Sequence, residues 1–426
     1  MRTLADIYNN SIERFADRFS HAMYERDRMT YREFGEMTRG LQQTLLDAGL
    51  SAGDRVLLLS SNMPTWPVCY FAVVEMGMVV VPILPGFSGE EFDQIIRHSE
   101  ARALLVSDKL YSKLSKETLD AQAVIVRTKN LGVLRQNHAP DVKPGRRATP
   151  KPDDTAAIIY TSGTTSAPKG VMLSHGALVA QIEIAYDIFP IVPDDVFLSI
   201  LPLSHTYECS IGMLYPFAYG ACVWYIDRPP TVSTLLPALK DIRPTVMLSV
   251  PLIMDKIYKN QVLAKFTANA VWGWFYSKLF FRRILHRLAG RRLYKLFGGR
   301  LRFFGIGGAK LDGQTEQFLL EARFPYAIGY GLTETAPLLA GVAPSMVRLG
   351  TTGPAVRGVS LRIDDPNAEG DGELVALTPC AMQGYFKNPG KTAEVFTDDG
   401  WFRTGDLANI APDGYVSIKG RLGSML

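Results

Sequence analysis

Residues 161–170 read TSGTTSAPKG, and their chemistry is that of an anion cradle. Ser162, Thr164, Thr165 and Ser166 supply hydroxyl donors. Gly163 and Gly170 have no side chain, so backbone N–H groups can approach an anion, and Lys169 adds a positive charge. An apolar run precedes the string (AAIIY) and another follows it (GVMLSH), as two buried strands joined by a loop would require. The pattern is not the phosphate loop built on Gly-Lys-Ser/Thr, because that triplet is absent and no helix follows directly. A flexible hairpin is the plain alternative for any Ser/Thr/Gly run. The position between two apolar strands favours the phosphates of a nucleotide.

Other stretches complement that loop. In GYGLTETAP (329–337), Tyr330 offers an aromatic face to a purine, Thr333 a hydroxyl near phosphate, and Glu334 a hard oxygen ligand for Mg²⁺. Plain readings stand beside these, such as a carboxylate at a helix entry for Glu334. In WFRTGDLA (401–408), Asp406 follows a glycine turn, placed to accept hydrogen bonds from ribose hydroxyls or to serve as an ordinary turn aspartate. GIGGAK (305–310) follows the strand-like LRFF and is a weak glycine motif by itself.

These strings, in this order, resemble the signatures of the adenylate-forming superfamily, which contains acyl-CoA synthetases, luciferases and peptide-synthetase adenylation domains. TSGTTSAPKG resembles its phosphate loop, GYGLTETAP its second signature, WFRTGDLA its third, and IKGRLGSM (418–425) the start of its hinge. GDRVLLLSSNMPTWPVCYFAVVEMGMVVVPILP (53–85) is similar to the same family. The resemblance implies that Thr161, Ser162, Gly163, Thr164, Thr165 and Lys169 hold ATP phosphates. It implies that Gly307, Gly308, Ala309, Gly329, Tyr330, Gly331 and Thr333 line the nucleotide. Asp406 and Arg421 would meet at the ribose, with Ile418 near the adenine and Thr161 and Glu334 holding magnesium. Ser-His-x-Tyr-Glu (204–208) looks most like long-chain fatty acyl-CoA synthetases, and the family sets a residue such as His205 beside the bound carboxylate. Lys169, Thr333, Glu334 and His205 are therefore the expected catalytic set. Ile211, Met213 and Leu214 could line an acyl tunnel, although core packing is the simpler expectation for them.

The implied reaction has two steps. A fatty carboxylate attacks the α-phosphate of ATP, releasing pyrophosphate, and the thiolate of coenzyme A then displaces AMP. The carboxylate needs no base, so positioning and charge neutralisation carry the first step. Alternatives are an acyl-AMP ligase that passes the acyl group to a carrier protein, and a catalytically silent ATP- or acyl-binding protein. Activation of aryl or amino acids is a further one, in which Glu208 would be a poor partner for an ammonium group. In the family a C-terminal domain follows the hinge and supplies a lysine to the adenylation step. Its absence after residue 426 would leave this chain poorly active alone, and Gly423 stands where the hinge usually has Asp or Lys.

The elements that must position these residues read as an α/β protein. Thr30-Tyr31-Arg32-Glu33 opens an amphipathic helix to Leu50. DRVLLLS (54–60), VVVPIL (79–84) and ALLVSD (103–108) read as buried strands, with helices near Pro64–Gly77 and Glu90–Ser99 between them. Continuous apolar strands alternating with helices predict mostly parallel sheets covered on both faces. Residues 130–154 read as a surface connection. The expected architecture is two stacked αβ subdomains, 1–154 and 155–345, and a small β-barrel-like subdomain, 346–420. Residues 421–426 would begin the hinge.

Composition is that of a globular protein, with 47% hydrophobic and 21% charged residues among 426. The four cysteines, Cys69, Cys209, Cys222 and Cys380, show no metal-ligand or redox spacing and predict reduced thiols in a cytoplasmic protein. The N-terminus has no signal-peptide pattern, and the longest apolar stretch, Val68–Leu84, contains Glu75 and ends at Pro82 and Pro85, as a buried helix running into a buried strand rather than a membrane span. Twelve Lys/Arg and no Asp/Glu fall between Lys256 and Arg302, so a net charge of +4 leaves −8 on the rest. Residues 272–304 mix those cations with aromatics, as a peripheral helix on the inner face of a membrane would. An amphipathic insertion packed on a sheet is the competing reading. No nucleic-acid-binding module surrounds the segment.

Overall fold

The computed structural model describes residues 2–161 and 169–422. Ser162, Gly163, Thr164 and Thr165 of the glycine loop, and Gly423 of the hinge string, lie outside the described residues.

Two eight-stranded sheets dominate. The first runs, in spatial order, Gly384–Tyr385, Lys169–Ser174, Thr155–Thr161, Val79–Pro82, Arg55–Leu59, Ala103–Val106, Val124–Arg127, Val133–Gln136. Its centre is parallel and its two ends are antiparallel. The second runs Leu338–Gly341, Tyr326–Gly331, Phe303–Ile306, Val246–Ser249, Val196–Ser199, Cys222–Tyr225, Phe19–Met23, Arg28–Thr30. It too is parallel between antiparallel ends. Each large sheet thus draws strands from both sides of residue 154. Residues 130–154 are not all connection, because Val133–Gln136 adds an edge strand. The third sheet, Ser360–Asp364, Gly372–Leu377, Phe402–Ile410 and Val416–Arg421, is antiparallel and open. The barrel-like expectation is corrected there, since among the described residues the two end strands do not pair with each other.

The strand period explains the layers. Val56 and Leu58 point into one apolar cluster, Leu57 and Leu59 into another on the opposite face. The first cluster also takes Phe197, Val223, Val246 and Leu248 from the second sheet, so the two large sheets share a central core. Between them lies the helix Thr65–Val74, buried at every position. A helix apolar all round has no face for water, and only an interior position satisfies it. Phe71 on that helix packs against Phe217 at 4.5 Å between ring centroids, and Phe34 meets Phe217 at 4.9 Å. Truncating such a ring to alanine costs about 3–5 kcal/mol. Phe34 arrives on the helix Tyr31–Asp47, whose start is closed by reciprocal bonds between Thr30 and Glu33. Outer helices such as Gly89–Ser99 and Gly313–Ala322 cover the far faces. Among the described residues no helix is long and apolar enough to cross a membrane.

Candidate functional site

Thr161 ends one strand and Lys169 begins the next, and the two are direct partners across the antiparallel pair. The glycine loop is thus bracketed by facing strand ends, with its lysine held on a strand. Lys169 Nζ stands 5.8 Å over the ring of Tyr385, which the short strand Gly384–Tyr385 brings alongside. The Tyr385 hydroxyl donates to Glu334 Oε1 at 2.9 Å. Burial and the facing Glu334 carboxylate push the Tyr385 pKa up, so the phenol keeps its proton and remains a donor. Cation, ring and carboxylate thus form one line from the loop to the second signature.

A second line meets it. The Tyr330 hydroxyl donates to Asp406 Oδ2 at 2.6 Å, and Arg421 Nε lies 3.1 Å from Asp406 Oδ1. Asp406 and Arg421 are cross-strand partners in the third sheet, so register alone sets them side by side. Gly405, at φ +70°, makes the bend before Asp406, and its N–H donates to Glu373. Burial raises the Asp406 pKa, while Tyr330 and Arg421 work the other way. Tyr330 and Ile418 pack on the same small cluster of Ala340, Leu374, Ala408 and Val416, which places Ile418 beside the candidate purine platform. Leu332, Glu334, Tyr385, Thr404, Gly405 and Arg421 line one cleft of about 290 Å³. Thr333 stands half-buried at the head of the turn Thr333–Thr335, next to that wall.

The glycines of the second signature have a reason internal to the fold. A Cβ on Gly331 would lie 1.8 Å from the Pro337 carbonyl oxygen, and one on Gly329 would lie 2.9 Å from Leu338. Gly307 and Gly305 approach Tyr207, whose ring would be 3.1 Å from a Cβ on Gly307. Gly308 adopts φ +87°, and Ala309 beyond it is exposed. Tyr207 thereby ties the glycine turn to the segment carrying His205. His205 keeps exposed surface although protein crowds it closely. That crowding lowers its pKa, so the imidazole is neutral at neutral pH. Its Nδ1 accepts from the Tyr207 N–H at 3.3 Å. Glu208 next to it starts a π-helical stretch, Glu208–Leu214, and is sealed inside. Burial pushes its pKa up to about 8. Ile211, Met213 and Leu214 are buried in the central core.

Sequence reasoning missed Tyr385 and Tyr207. Tyr385 has no local signal, since sheet pairing brings it to Lys169, whereas Tyr207 stands inside the Ser-His-x-Tyr-Glu string and only its contact with the glycine turn was not legible there. Among the described residues no group of three or more His, Cys, Asp or Glu side chains could hold a metal by itself. Glu334 and the Thr161 hydroxyl are hard oxygen donors, which fits a magnesium ion that takes its other ligands from phosphate and water. The cysteines are all free, with Cys69, Cys209 and Cys380 buried.

A family model described as AMP-binding enzyme matches residues 9–386. The long-chain-fatty-acid–CoA ligase FadD15 of Mycobacterium bovis (strain ATCC BAA-935 / AF2122/97) is 32% identical, over 92% of this chain and 69% of its own length. A chloroplastic long-chain-fatty-acid–[acyl-carrier-protein] ligase of Arabidopsis thaliana, AEE15, is 27% identical, over 96% of this chain and 67% of its own. Among solved structures, ATP-bound MatB from Rhodopseudomonas palustris superposes with a TM-score of 0.81 at 25% identity, covering 99% of this chain and 80% of that one.

Proposed function

Because this chain belongs to the AMP-binding enzyme family, we propose that its site activates a long-chain fatty acid with ATP, first to the acyl-adenylate and then to acyl-CoA. The observation that carries this reading is that the Lys169–Tyr385–Glu334 line reaches one cleft through Tyr385 and Glu334, and the Tyr330–Asp406–Arg421 line reaches it through Arg421. One line carries the groups a polyphosphate needs, the other those a nucleoside needs.

In the adenylation step a carboxylate oxygen bonds to the α-phosphorus as the bond to pyrophosphate breaks. Lys169 offsets negative charge on the phosphates, and the Tyr385 ring and hydroxyl fix both Lys169 and Glu334. A carboxylate has about four lone-pair positions, and Tyr385 uses one, so Glu334 retains capacity for magnesium. The ion, when bound, would neutralise phosphate charge. Asp406 accepts from ribose hydroxyls while Arg421 and Tyr330 hold its orientation. Neutral, accessible His205 can donate one hydrogen bond to a substrate carboxylate without trapping it as an ion pair. In the second step the thiolate sulfur attacks the acyl carbon and AMP leaves.

Glu208 faces inward and is protonated at neutral pH, which disfavours recognition of an ammonium group and hence of amino acids. The likeness to AEE15 favours one second reading, transfer to a carrier protein rather than coenzyme A. ATP–pyrophosphate exchange with a panel of carboxylic acids tests the activation. Exchange only with long-chain acids supports the reading, and no exchange with any acid refutes it. Acceptor competition between coenzyme A and a phosphopantetheine carrier protein then separates the two thiols.

A further inference from the structure

The helices Ala270–Ser277 and Leu279–Leu296 form a hairpin joined at Lys278. Its inner side is locked. His286, Gly290 and Leu293, at helical spacing, are buried, and a Cβ on Gly290 would lie 2.6 Å from that of Ala322. Arg282 pairs with Glu321 at 2.8 Å, His286 Nδ1 lies 2.7 Å from the same carboxylate, and the Tyr276 hydroxyl bridges His286 and Tyr258 at 2.8 Å each. The outer side has no such partners. The helix Ala270–Ser277 buries no residue, Trp272 and Trp274 are 46% and 56% exposed, and Phe280 is 70% exposed. Phe280, Ile284 and Leu288, four apart, continue one exposed apolar stripe, and Arg291, Arg292 and Lys295 extend it as a basic one. Phe275, Phe281 and Phe280 stack edge to face into a ridge rather than standing singly.

We propose that this hairpin docks the protein on an anionic lipid bilayer, with Trp272, Trp274, Phe280 and Ile284 at the headgroup–acyl boundary. Tryptophan and phenylalanine in a ridge prefer that boundary, and arginine and lysine beside them reach the headgroups. Charge selects the occupant. Twelve cations and no acid lie between Lys256 and Arg302, and among the described residues only Arg282, Arg283 and Arg302 of them have an acidic partner. A second copy meeting it through the same face would present the same charge and be repelled, whereas an anionic surface is attracted. The proposal goes beyond fatty-acid activation and stands independently of it.

The test is co-sedimentation of the protein, without ATP or acid, with phosphatidylcholine vesicles that contain or lack phosphatidylglycerol. Partitioning should be roughly tenfold or more stronger on the anionic vesicles. The change Trp272→Ser with Trp274→Ser and Phe280→Ser should weaken it by about tenfold. Arg291→Glu with Arg292→Glu should also weaken it, and tryptophan emission should shift to the blue on binding. Unchanged circular dichroism in both variants keeps the comparison meaningful. No binding, binding indifferent to the aromatic changes, equally tight binding to single-stranded RNA, or self-association abolished by the same changes would each overturn the proposal.

Discussion

Tyr330 and Asp406, 76 residues apart, share a 2.6 Å hydrogen bond in which the phenol donates to a buried carboxylate. The bond joins the second large sheet to the third. It also helps to keep Asp406 ionised, because it lowers a pKa that burial raises. Asp406 should serve the nucleotide above its pKa and fail as pH falls through it. Tyr330→Phe removes a lowering influence, so the acid limb of AMP binding should move to higher pH. Affinity at neutral pH should fall roughly ten- to 100-fold, the worth of a hydrogen bond to a charged group. Titration calorimetry across pH reads both effects, and an unmoved acid limb would count against the role of this bond.

Glu334→Gln keeps an acceptor for Tyr385 but removes the negative charge. Pyrophosphate exchange should drop by roughly 100-fold or more, with a smaller change in ATP affinity, because charge matters most where it develops. Tyr385→Phe should lose less, about tenfold, since the ring remains under Lys169. Equal losses in the two variants would show that Tyr385 contributes more than orientation.

Gly331→Ala should unfold the site rather than merely block a ligand. Its Cβ would stand 1.8 Å from the Pro337 carbonyl, and backbone cannot yield as a side-chain rotamer can. A loss of about 3 kcal/mol or more is expected in chemical denaturation without any ligand. A variant of unchanged stability with lost nucleotide binding would instead assign this glycine to ligand approach alone.

Glu208 makes stability depend on pH with a definite sign. Its pKa rises from 4.5 to about 8 on folding, so the native state holds the proton more tightly. Its contribution is complete below 4.5 and is lost as pH rises towards about 8. Cys209 beside it, pushed up to about 12, stays protonated there. Denaturation of Glu208→Gln should lack that decline, a difference on the order of 5 kcal/mol at most over the range. Parallel slopes in the two proteins would remove Glu208 as the cause.

Local patterns in the chain carried much of the fold. The capping pair Thr30 and Glu33, the short largely apolar runs at 55–59, 79–82 and 103–106, and the largely apolar helix Thr65–Val74 each depend on neighbours a few residues away. Such signals are readable because periodicity and capping are local physics. The barrel-like third unit and the unbroken connection at 130–154 were misread for the opposite reason. Whether a sheet closes, and whether VLRQ finds an edge to pair with, depends on strands far away in sequence.

The same division holds at the site. By itself the sequence determined which residue types were available: hydroxyls and a lysine in the loop, Tyr330, Glu334, Asp406 and Arg421 in their signatures, and twelve unopposed cations in one segment. Only the tertiary structure decided that Tyr385 stands between Lys169 and Glu334, that Asp406 is held from both sides, that Glu208 is sealed in and neutral, and which side of the basic hairpin is left bare. The reason is physical. Composition and spacing state what a side chain can do, whereas its partners, its burial and therefore its charge are set by strand pairing and packing between distant parts of the chain.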